Sequence, residues 1–394
     1  MRLSPTFLPG SGSVRDRSNS VDEPPFRVLL VAGRFEVRGS SLYTLRLAES
    51  LGQFGIDARV VCTFADRVDV SRKKRLHIQE FPYLKLPLLG RLTRIQVQRD
   101  LSGWIPQLVH VQTRDMMSVG TWLSGRFECP SILTVHEILT PGQRLSFSWK
   151  RIQRMIAVSE PVKSELLKRI SFDEKKTAVI HCGVAPDCGR TLPPVLDPGH
   201  LPVIGVAGPL ETVKGILYFL GAAHRVLQSR SDVRFLISGS GPEERNLRRL
   251  SRELGISDKV TFVPSLTDFA EPLAAMDIYC LPSLEQGLGT IMLEAMAMGK
   301  PVITSGVGGM ASVICDNETG LVVPPASSGK LAGRMLEMLG DPVRARSLGE
   351  AGRRLVHTKF NAEAMLRKTV DLYKQVIAEA ERPAVKANKS ATAV

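Results

Sequence analysis

The sequence predicts an α/β protein built from two Rossmann-like, doubly wound parallel sheets. Short apolar runs rich in β-branched residues alternate with longer segments of helical periodicity along almost the whole chain, a pattern typical of repeated βαβ units. This alternation is interrupted once, by a proline-rich stretch at 183–202, and then begins again. The length of 394 residues also exceeds the roughly 250–300 residues at which a single core stops growing. Two domains are therefore expected.

The first half supplies six candidate strands. They are continuous apolar runs, as expected for strands that are buried on both faces. Between the first two, apolar residues recur every three positions from Leu42 to Leu51, which predicts a helix that Gly52 and Gly55 help to end. The predicted strands lie at 26–32, 58–62, 108–111, 131–135, 155–158 and 178–180.

The second half repeats the pattern, with strands predicted at 203–207, 233–238, 260–263, 278–281, 302–304 and 321–323. A last helical segment follows Asn361, a residue type that favours helix N-caps. The expected organisation is a disordered leader (1–25), a first Rossmann-like domain (26–185) and a second one (186–365). A C-terminal helix (366–380) is expected to pack back on the first domain, and a disordered tail (381–394) follows.

The composition excludes several classes of protein. A hydrophobic fraction of 43% and a charged fraction of 23% are those of a globular protein, not of a disordered or fibrous one. The apolar runs are far shorter than the roughly 20 residues of a membrane-spanning helix, and residues 1–25 lack the apolar core of a signal peptide. Six scattered cysteines show no paired metal-ligand spacing, so no metal site is expected and the cytosol is the expected compartment.

The net charge of +13 lies mostly in the first half of the chain. Its densest run is 72–75, and Lys85, Arg91, Arg94 and Arg99 follow. Such a region could face nucleic acid, an anionic lipid surface or a phosphorylated substrate, or it could be a solvated basic loop. Nucleic acid is disfavoured because no zinc finger, helix-turn-helix or aromatic RNA-binding pattern accompanies the charge. The apolar and basic segment 81–95 keeps peripheral contact with an anionic membrane open, although its prolines interrupt a continuous helix.

The segment 281–304 is the most informative part of the sequence. It predicts a strand, a glycine turn, a helix and another strand. Gly287 and Gly289 would let backbone amides approach a ligand closely, and the helix that follows offers N–H groups and a positive dipole end to an anion such as a diphosphate. Glu294, one turn further on, could accept hydrogen bonds from the hydroxyls of a ribose. The alternative is a tight turn followed by an exposed helix glutamate.

The segment 203–218 again predicts a strand, a loop and a helix. Lys214 stands at the start of this helix, where its ammonium could neutralise the charge that accumulates on a departing diphosphate. Since helix N-termini disfavour cations, the position of this lysine hints at a bound anion. A solvent-facing lysine is the alternative.

Taken together, these blocks resemble the GT-B glycosyltransferases, specifically family 4 of the retaining enzymes (glycosyl transferases group 1). The resemblance covers about residues 27–377 and is strongest at 203–324, where the family's landmarks occur in the family order. It implies two domains that face each other across a cleft, an acceptor domain (26–185) and a nucleotide-sugar domain (186–365). The matching segments are 38–48, 134–137, 156–159, 179–184, 237–243, 266–279, 293–297, 299–302 and 320–324.

The resemblance also implies roles for individual residues. Glu294 would hold the ribose, Lys214 the diphosphate and His136 the donor sugar, while Gly39 would form the opposite wall. His136 follows an apolar strand, at whose carboxyl end open α/β sheets bind ligands, although a satisfied structural histidine is the alternative. The implied catalytic residues are His136, Lys214 and Gln286, and the implied nucleotide-sugar site consists of Gly39, Gly208, Lys214, Gly287, Leu288, Gly289 and Glu294.

Three departures from the family pattern stand out. Gln286 occupies the position of the first of two glutamates that are usually separated by seven residues, so a carboxylate is absent. Pro209 replaces an arginine that would bind phosphate through two hydrogen bonds, and we hypothesise that Arg34 or Arg38 substitutes for it. Arg38 itself replaces a glycine, which limits how closely its loop can approach a ligand.

The sequence therefore predicts a metal-independent, retaining glycosyltransferase that acts in the synthesis of cell-surface polysaccharide or glycolipid. Its expected partners are a nucleotide-sugar donor, which is a co-substrate and not a resident cofactor, and a glycan or lipid-linked acceptor at the inner face of the membrane. Two alternatives stay open: a nucleotide-sugar 2-epimerase, and a non-catalytic scaffold that binds a nucleotide-sugar. The scaffold is motivated by Gln286 and Pro209.

Overall fold

A computed structural model describes residues 26–36, 39–138, 151–184, 193–264 and 269–391, with side chains up to 381. Within these ranges the chain forms two parallel sheets, one in each half. The first has seven strands in the order β3-β2-β1-β4-β5-β6-β7, and the second has six in the order β10-β9-β8-β11-β12-β13. In both sheets the strand order reverses beside the first strand, so both are doubly wound, and the predicted α/β class is confirmed.

The first sheet agrees closely with the predicted strands, because their apolar runs are buried on both faces. One short strand at its edge was not predicted: β3 contains Gln79 and Glu80 and lacks an apolar run. The strands are β1 (Phe26–Val31), β2 (Ile56–Cys62), β3 (Ile78–Glu80), β4 (Leu108–Val111), β5 (Ser131–Val135), β6 (Ile152–Ala157) and β7 (Thr177–Val179).

The second sheet contains all six predicted strands, with bounds that differ by one residue at most. Its strands are β8 (Val203–Ala207), β9 (Arg234–Ser238), β10 (Val260–Val263), β11 (Ile278–Leu281), β12 (Val302–Thr304) and β13 (Leu321–Val322).

Helices connect the strands on both faces of the sheets. The first-half helices are α1 (Gly39–Leu51), α2 (Val70–Arg75), α3 (Leu89–Asp100), α4 (Met117–Arg126) and α5 (Glu160–Arg169). The second half contributes α6 (Ile216–Ser229), α7 (Glu244–Glu253), α8 (Ala270–Ala274), α9 (Thr290–Ala297), α10 (Ser328–Gly340), α11 (Pro342–Lys359) and α12 (Ala362–Ala391).

The last helix, α12, packs on the first half of the molecule. The hydroxyl of Tyr373 lies 2.5 Å from Nδ1 of His110 on β4, and Arg154 on β6 pairs with Glu379 at 2.6 Å. The helix begins at Ala362, four residues before the predicted start, because the side chain of Asn361 caps it through the backbone N–H of Ala364. It also continues beyond Glu381, where a disordered tail is predicted. The predicted leader and the predicted boundary near Pro186 lie outside the described residues.

The two halves are joined by α9, all eight residues of which are buried. Apolar side chains of this helix belong to the same core cluster as those of β1, β4 and β5 in the first half. A second core cluster packs around β8, β9 and the helices α6 and α10. The space between the sheets is therefore bordered by an element that both halves bury.

Candidate functional site

A cavity of about 260 Å³ lies between the two halves, and both of them line it. It opens at the carboxyl ends of β5, β8 and β11, which is where open α/β sheets bind ligands. Of the predicted site residues, eight line this cavity: Gly39, His136, Gly208, Lys214, Gln286, Gly287, Leu288 and Gly289.

Lys214 and Gln286 meet directly in this cavity. Lys214 ends a 3₁₀ turn, and Gly215 follows with a φ of 64° before α6 begins. Nζ of Lys214 donates a hydrogen bond of 2.7 Å to Oε1 of Gln286. A backbone bond of 2.8 Å from Leu284 to the carbonyl of Val213 holds the two segments together. The lysine and the glycine turn, predicted from segments about 70 residues apart, thus form one site.

The glycine turn is packed more tightly than its sequence indicates. A Cβ at Gly287 would lie 1.9 Å from the carbonyl oxygen of His136, and one at Gly309 would lie 1.8 Å from the carbonyl oxygen of Gly287. Ser159 of the first half adds a hydrogen bond of 3.3 Å to that same carbonyl. The missing side chain therefore lets the two halves of the chain approach each other.

Helix α9 begins beside this turn and directs its first turn toward the cavity. Gly289 precedes it with a φ of 87°, and Thr290, Ile291 and Met292 line the cavity. The first backbone N–H groups of a helix have no partner within the helix and carry partial positive charge. Gly39, at the start of α1, lies opposite, where an added Cβ would approach Oγ1 of Thr290 to 2.7 Å.

His136 follows β5 and contributes a neutral imidazole to the cavity wall. Burial lowers its pKa to about 4, although the nearby Glu137 acts in the opposite direction. The ring stands edge-on to Tyr43, with 4.9 Å between the ring centroids. Its Nε2 atom is buried and lacks a hydrogen-bond partner within the described part of the chain. A buried ring nitrogen of this kind can bond a ligand hydroxyl.

Glu294 is placed differently from the other predicted site residues. It lies on α9 behind the turn that lines the cavity and does not itself line it. Its Oε1 atom forms an ion pair of 2.5 Å with Arg46 on α1, and the guanidinium of Arg46 also donates to the carbonyl of Gly183 at 3.2 Å. The carboxylate predicted to hold a ribose thus contacts an arginine of the opposite half.

The cavity also contains an arginine, Arg114, that is not among the predicted site residues. Arg114 and Glu137 both line it and form an ion pair of 3.5 Å. Their positions just after β4 and β5, at the carboxyl ends of strands where such sheets bind ligands, could have indicated both residues from the sequence. Arg34 instead pairs with Asp66 at 3.1 Å and borders a neighbouring cavity together with Pro209 and Glu211. Arg38 lies outside the described residues.

The described residues contain neither a metal-binding cluster nor a membrane-spanning helix. Within them, no three histidine, cysteine or acidic side chains come together in a way that could hold a metal ion. Their helices are also too short or too polar to cross a membrane.

Two family profiles match the chain, one in each half. Glycosyltransferase Family 4 matches residues 37–187, and Glycosyl transferases group 1 matches residues 194–355. The chain is 26% identical to a D-inositol 3-phosphate glycosyltransferase of Nocardia farcinica, over 84% of this chain and 86% of that protein. A GDP-mannose-dependent phosphatidylinositol monomannoside mannosyltransferase of Corynebacterium glutamicum is 36% identical over 42% of this chain. That match spans less than half of the mannosyltransferase (45%), and a match to a kanosaminyltransferase of Streptomyces kanamyceticus spans 46% of that protein.

Solved structures share the fold. HepE of Anabaena, in complex with UDP and glucose, superposes with a TM-score of 0.76 at 18% identity and covers 89% of this chain and 100% of its own. A sucrose-phosphate synthase of Thermosynechococcus elongatus gives a TM-score of 0.71 at 22% identity, covering 90% of this chain and all of its own. The two sheets with their intervening cavity, and the two family matches that together span both halves, show that the chain belongs to glycosyltransferase family 4 and has the GT-B fold.

Proposed function

We propose that the chain is a retaining glycosyltransferase that transfers a sugar from a nucleotide-sugar to a glycan or lipid-linked acceptor in cell-surface polysaccharide or glycolipid synthesis. The observation that carries this proposal is that Lys214, the turn at 286–289 and the start of α9 line one cavity. Relatives support a nucleotide donor: HepE is described in complex with UDP-glucose, and the mannosyltransferase of Corynebacterium glutamicum is GDP-mannose-dependent.

The charge arrangement suits a departing diphosphate. Lys214 and the start of α9 line the same cavity. An anion between the ammonium and the partial positive charge of the helix start would be stabilised by both. These groups supply the stabilisation for which other transferases use a metal ion, so we propose a metal-independent reaction. Donor turnover that survives treatment with EDTA would support this part, and loss that Mg²⁺ restores would contradict it.

The sugar would lie between His136 and Gln286. His136 presents an uncharged imidazole near pH 7, because its pKa is about 4. Gln286 accepts from Lys214 and retains its amide N–H groups as donors to a sugar hydroxyl. In this arrangement the acceptor attacks from the face that the diphosphate leaves, and the phosphate takes the acceptor proton.

If Glu294 holds the ribose, its carboxylate must bind a ribose hydroxyl. It can do so while it keeps its ion pair with Arg46 or after it gives that pair up. If it does so, Glu294→Gln raises the donor KM about tenfold and leaves kcat nearly unchanged, since the interaction is uniform in the ground and transition states. An unchanged KM would remove Glu294 from the donor site.

A ligand screen followed by product analysis tests the proposal as a whole. Thermal unfolding is measured with the diphosphates of uridine, guanosine and adenosine and with their sugars, because a ligand that binds only the folded state raises the unfolding temperature. The stabilising donor is then incubated alone, and the anomer of the first released sugar is read by NMR. Release with retained configuration supports the proposal. Tight binding with no release, and with no transfer when glycan or lipid-linked acceptors are added, favours the non-catalytic scaffold.

A further inference from the structure

One stretch of the first half exposes an unusual group of apolar side chains. Six large apolar residues between Tyr83 and Ile95 are exposed, including Leu88 at 80% and Leu92 at 67%. Elsewhere in the described chain, exposed residues of this kind occur singly or in pairs such as Val213 and Leu217. A contiguous exposed apolar patch marks an interaction site more often than an isolated side chain does. We call these six residues the apolar face: Tyr83, Leu86, Leu88, Leu89, Leu92 and Ile95.

The apolar face rests on a firmly packed base. Leu84 and Val97 are fully buried, and Phe81 is nearly so. Gly90 lies so close to the loop before α3 that a Cβ there would be 2.9 Å from the carbonyl oxygen of Leu84. Leu88, Leu92 and Ile95 follow at spacings of four and three residues, which places them along one side of the helix. The exposed side chains thus belong to an ordered element whose opposite side forms part of the core.

Basic residues outnumber acidic ones around the apolar face, where Asp100 ends α3 and Asp115 contacts Lys85. From 81 to 99 the sequence contains Lys85, Arg91, Arg94 and Arg99 and no acidic residue. Arg91 and Arg99 are exposed, whereas Lys85 is paired with Asp115 and Arg94 donates to Ser118 at 3.4 Å. Exposed leucines can insert into the apolar interior of a bilayer, and the basic residues around them can contact its anionic headgroups. The apolar face is therefore complementary to a bilayer with acidic headgroups.

The apolar face is also connected to the cavity. Lys85 contacts Asp115, and the neighbouring Arg114 lines the cavity and pairs with Glu137. A surface bound through Tyr83–Ile95 would therefore lie close to the part of the cavity that Arg114 and Glu137 line. A lipid-linked acceptor could reach the donor from there without leaving the bilayer.

We propose that the apolar face docks the protein on membranes that contain anionic lipids and delivers the lipid-linked acceptor to the cleft. The delivery step rests on the function proposed above, whereas docking does not. Leucines 88 and 92 enter the acyl boundary, and Arg91 and Arg99 contact the headgroups. Docking weakens at high salt because exposed charges are then screened.

The test measures flotation of the full chain with vesicles of phosphatidylcholine alone or mixed with phosphatidylglycerol. The wild-type protein floats with the mixed vesicles at low salt. Leu88→Ser/Leu92→Ser and Arg91→Gln/Arg99→Gln each reduce its partition by about tenfold or more. The matched controls Leu201→Ser/Val343→Ser and Arg225→Gln/Lys330→Gln, exposed residues of the second half, leave it unchanged.

Two further measurements separate the outcomes. Donor hydrolysis in solution stays at the wild-type level in all four variants, so a failure of docking is distinguishable from a failure of the proposed chemistry. The proposal would be overturned if the wild-type protein floated equally with both kinds of vesicle. It would also be overturned if the Leu88/Leu92 and Arg91/Arg99 variants floated as well as the wild type. Dimerisation of the wild type in sedimentation equilibrium that Leu88→Ser/Leu92→Ser abolishes, without vesicle binding, would assign the apolar face to a second copy of the chain instead.

Discussion

The guanidinium of Arg46 on α1 lies 2.5 Å from the carboxylate of Glu294 on α9, so an ion pair connects the two halves behind the cavity. Both side chains are largely buried, with exposed fractions of 20% and 10%. Removal of one partner from such a pair leaves the other charge in a poorly solvated position, which costs more than the pair itself contributes.

Arg46→Gln is expected to lower the free energy of unfolding by about 2 kcal/mol, because it leaves the Glu294 carboxylate without its cation. Urea denaturation measures this change. Arg367→Gln is the matched control: its pair with Glu363 is equally short at 2.5 Å, but the exposed fractions are 67% and 68%. Its loss should stay below about 0.5 kcal/mol. Equal decreases in the free energy of unfolding of the two variants would show that burial of the Arg46 pair does not affect its contribution to stability.

Lys214→Met is expected to reduce kcat for donor turnover by about a hundredfold or more, since it removes the cation that faces the leaving diphosphate. Methionine retains much of the apolar stem, and the thermal unfolding temperature checks that the fold survives. Initial rates at saturating donor measure the effect. Turnover at the wild-type level would exclude an electrostatic role for this lysine.

Gln286 is expected to act as a hydrogen-bonding group and not through charge. Gln286→Glu should therefore keep activity within a few-fold of wild type, because a carboxylate also accepts from Lys214 and can accept from the sugar hydroxyl in place of the amide donor. Gln286→Leu should lose at least about tenfold, since the lysine and the sugar both lose a partner. The comparison of kcat/KM for the two variants is decisive, and equal activities would remove the side chain from the site.

Gly287→Ala is expected to destabilise the protein by about 1–3 kcal/mol, because the new Cβ would lie 1.9 Å from the carbonyl oxygen of His136. The two halves must move apart to relieve this contact, so the donor KM should rise as well. Gly329→Ala on α10, where a Cβ would have no neighbour within 4 Å, is the control and should be neutral or slightly stabilising. Wild-type stability of the first variant would contradict the tight packing described here.

His110 is expected to make stability depend on pH. Burial lowers its pKa to about 3, and the ring bonds Tyr373 and Thr134. The unfolded chain, with a histidine pKa near 6.5, therefore binds a proton that the folded chain does not. Stability is lost as the pH falls through 6.5, by about 2 kcal/mol from this residue between pH 7 and pH 5.

The variant His110→Gln cannot bind that proton. It should be less stable than wild type at pH 7 but should lose about 2 kcal/mol less between pH 7 and pH 5. The variant should still lose a similar amount of stability between pH 7 and pH 5, because His136 has a pKa of about 4 and is also neutral in the folded chain. Parallel pH curves for wild type and variant would contradict the assignment.

The strands and the glycine turn were predictable because their signals are local. Continuous apolar runs specify buried parallel strands, and a glycine turn between a strand and a helix specifies its own geometry. The short edge strand β3 lacks such a run. The contact of Glu294 with Arg46 joins residues 248 positions apart, and the entry of Arg114 into the cavity depends on how two sheets face each other. Such contacts depend on how the two halves pack against each other, and no local sequence pattern indicates them.

The chain crosses from the first half to the second after Val184 and returns just before Ala362, and the two crossings are bonded to each other. The backbone N–H of Val184 donates to the carbonyl of Phe360, and that of Ala362 donates to the carbonyl of Val184, both at 2.9 Å. The two crossings therefore form one paired connection between the halves, in addition to the contacts of α9 and of the Arg46–Glu294 pair. A rotation of one half against the other would be smallest near residues 184 and 361, so the cavity would change most at the side farthest from them.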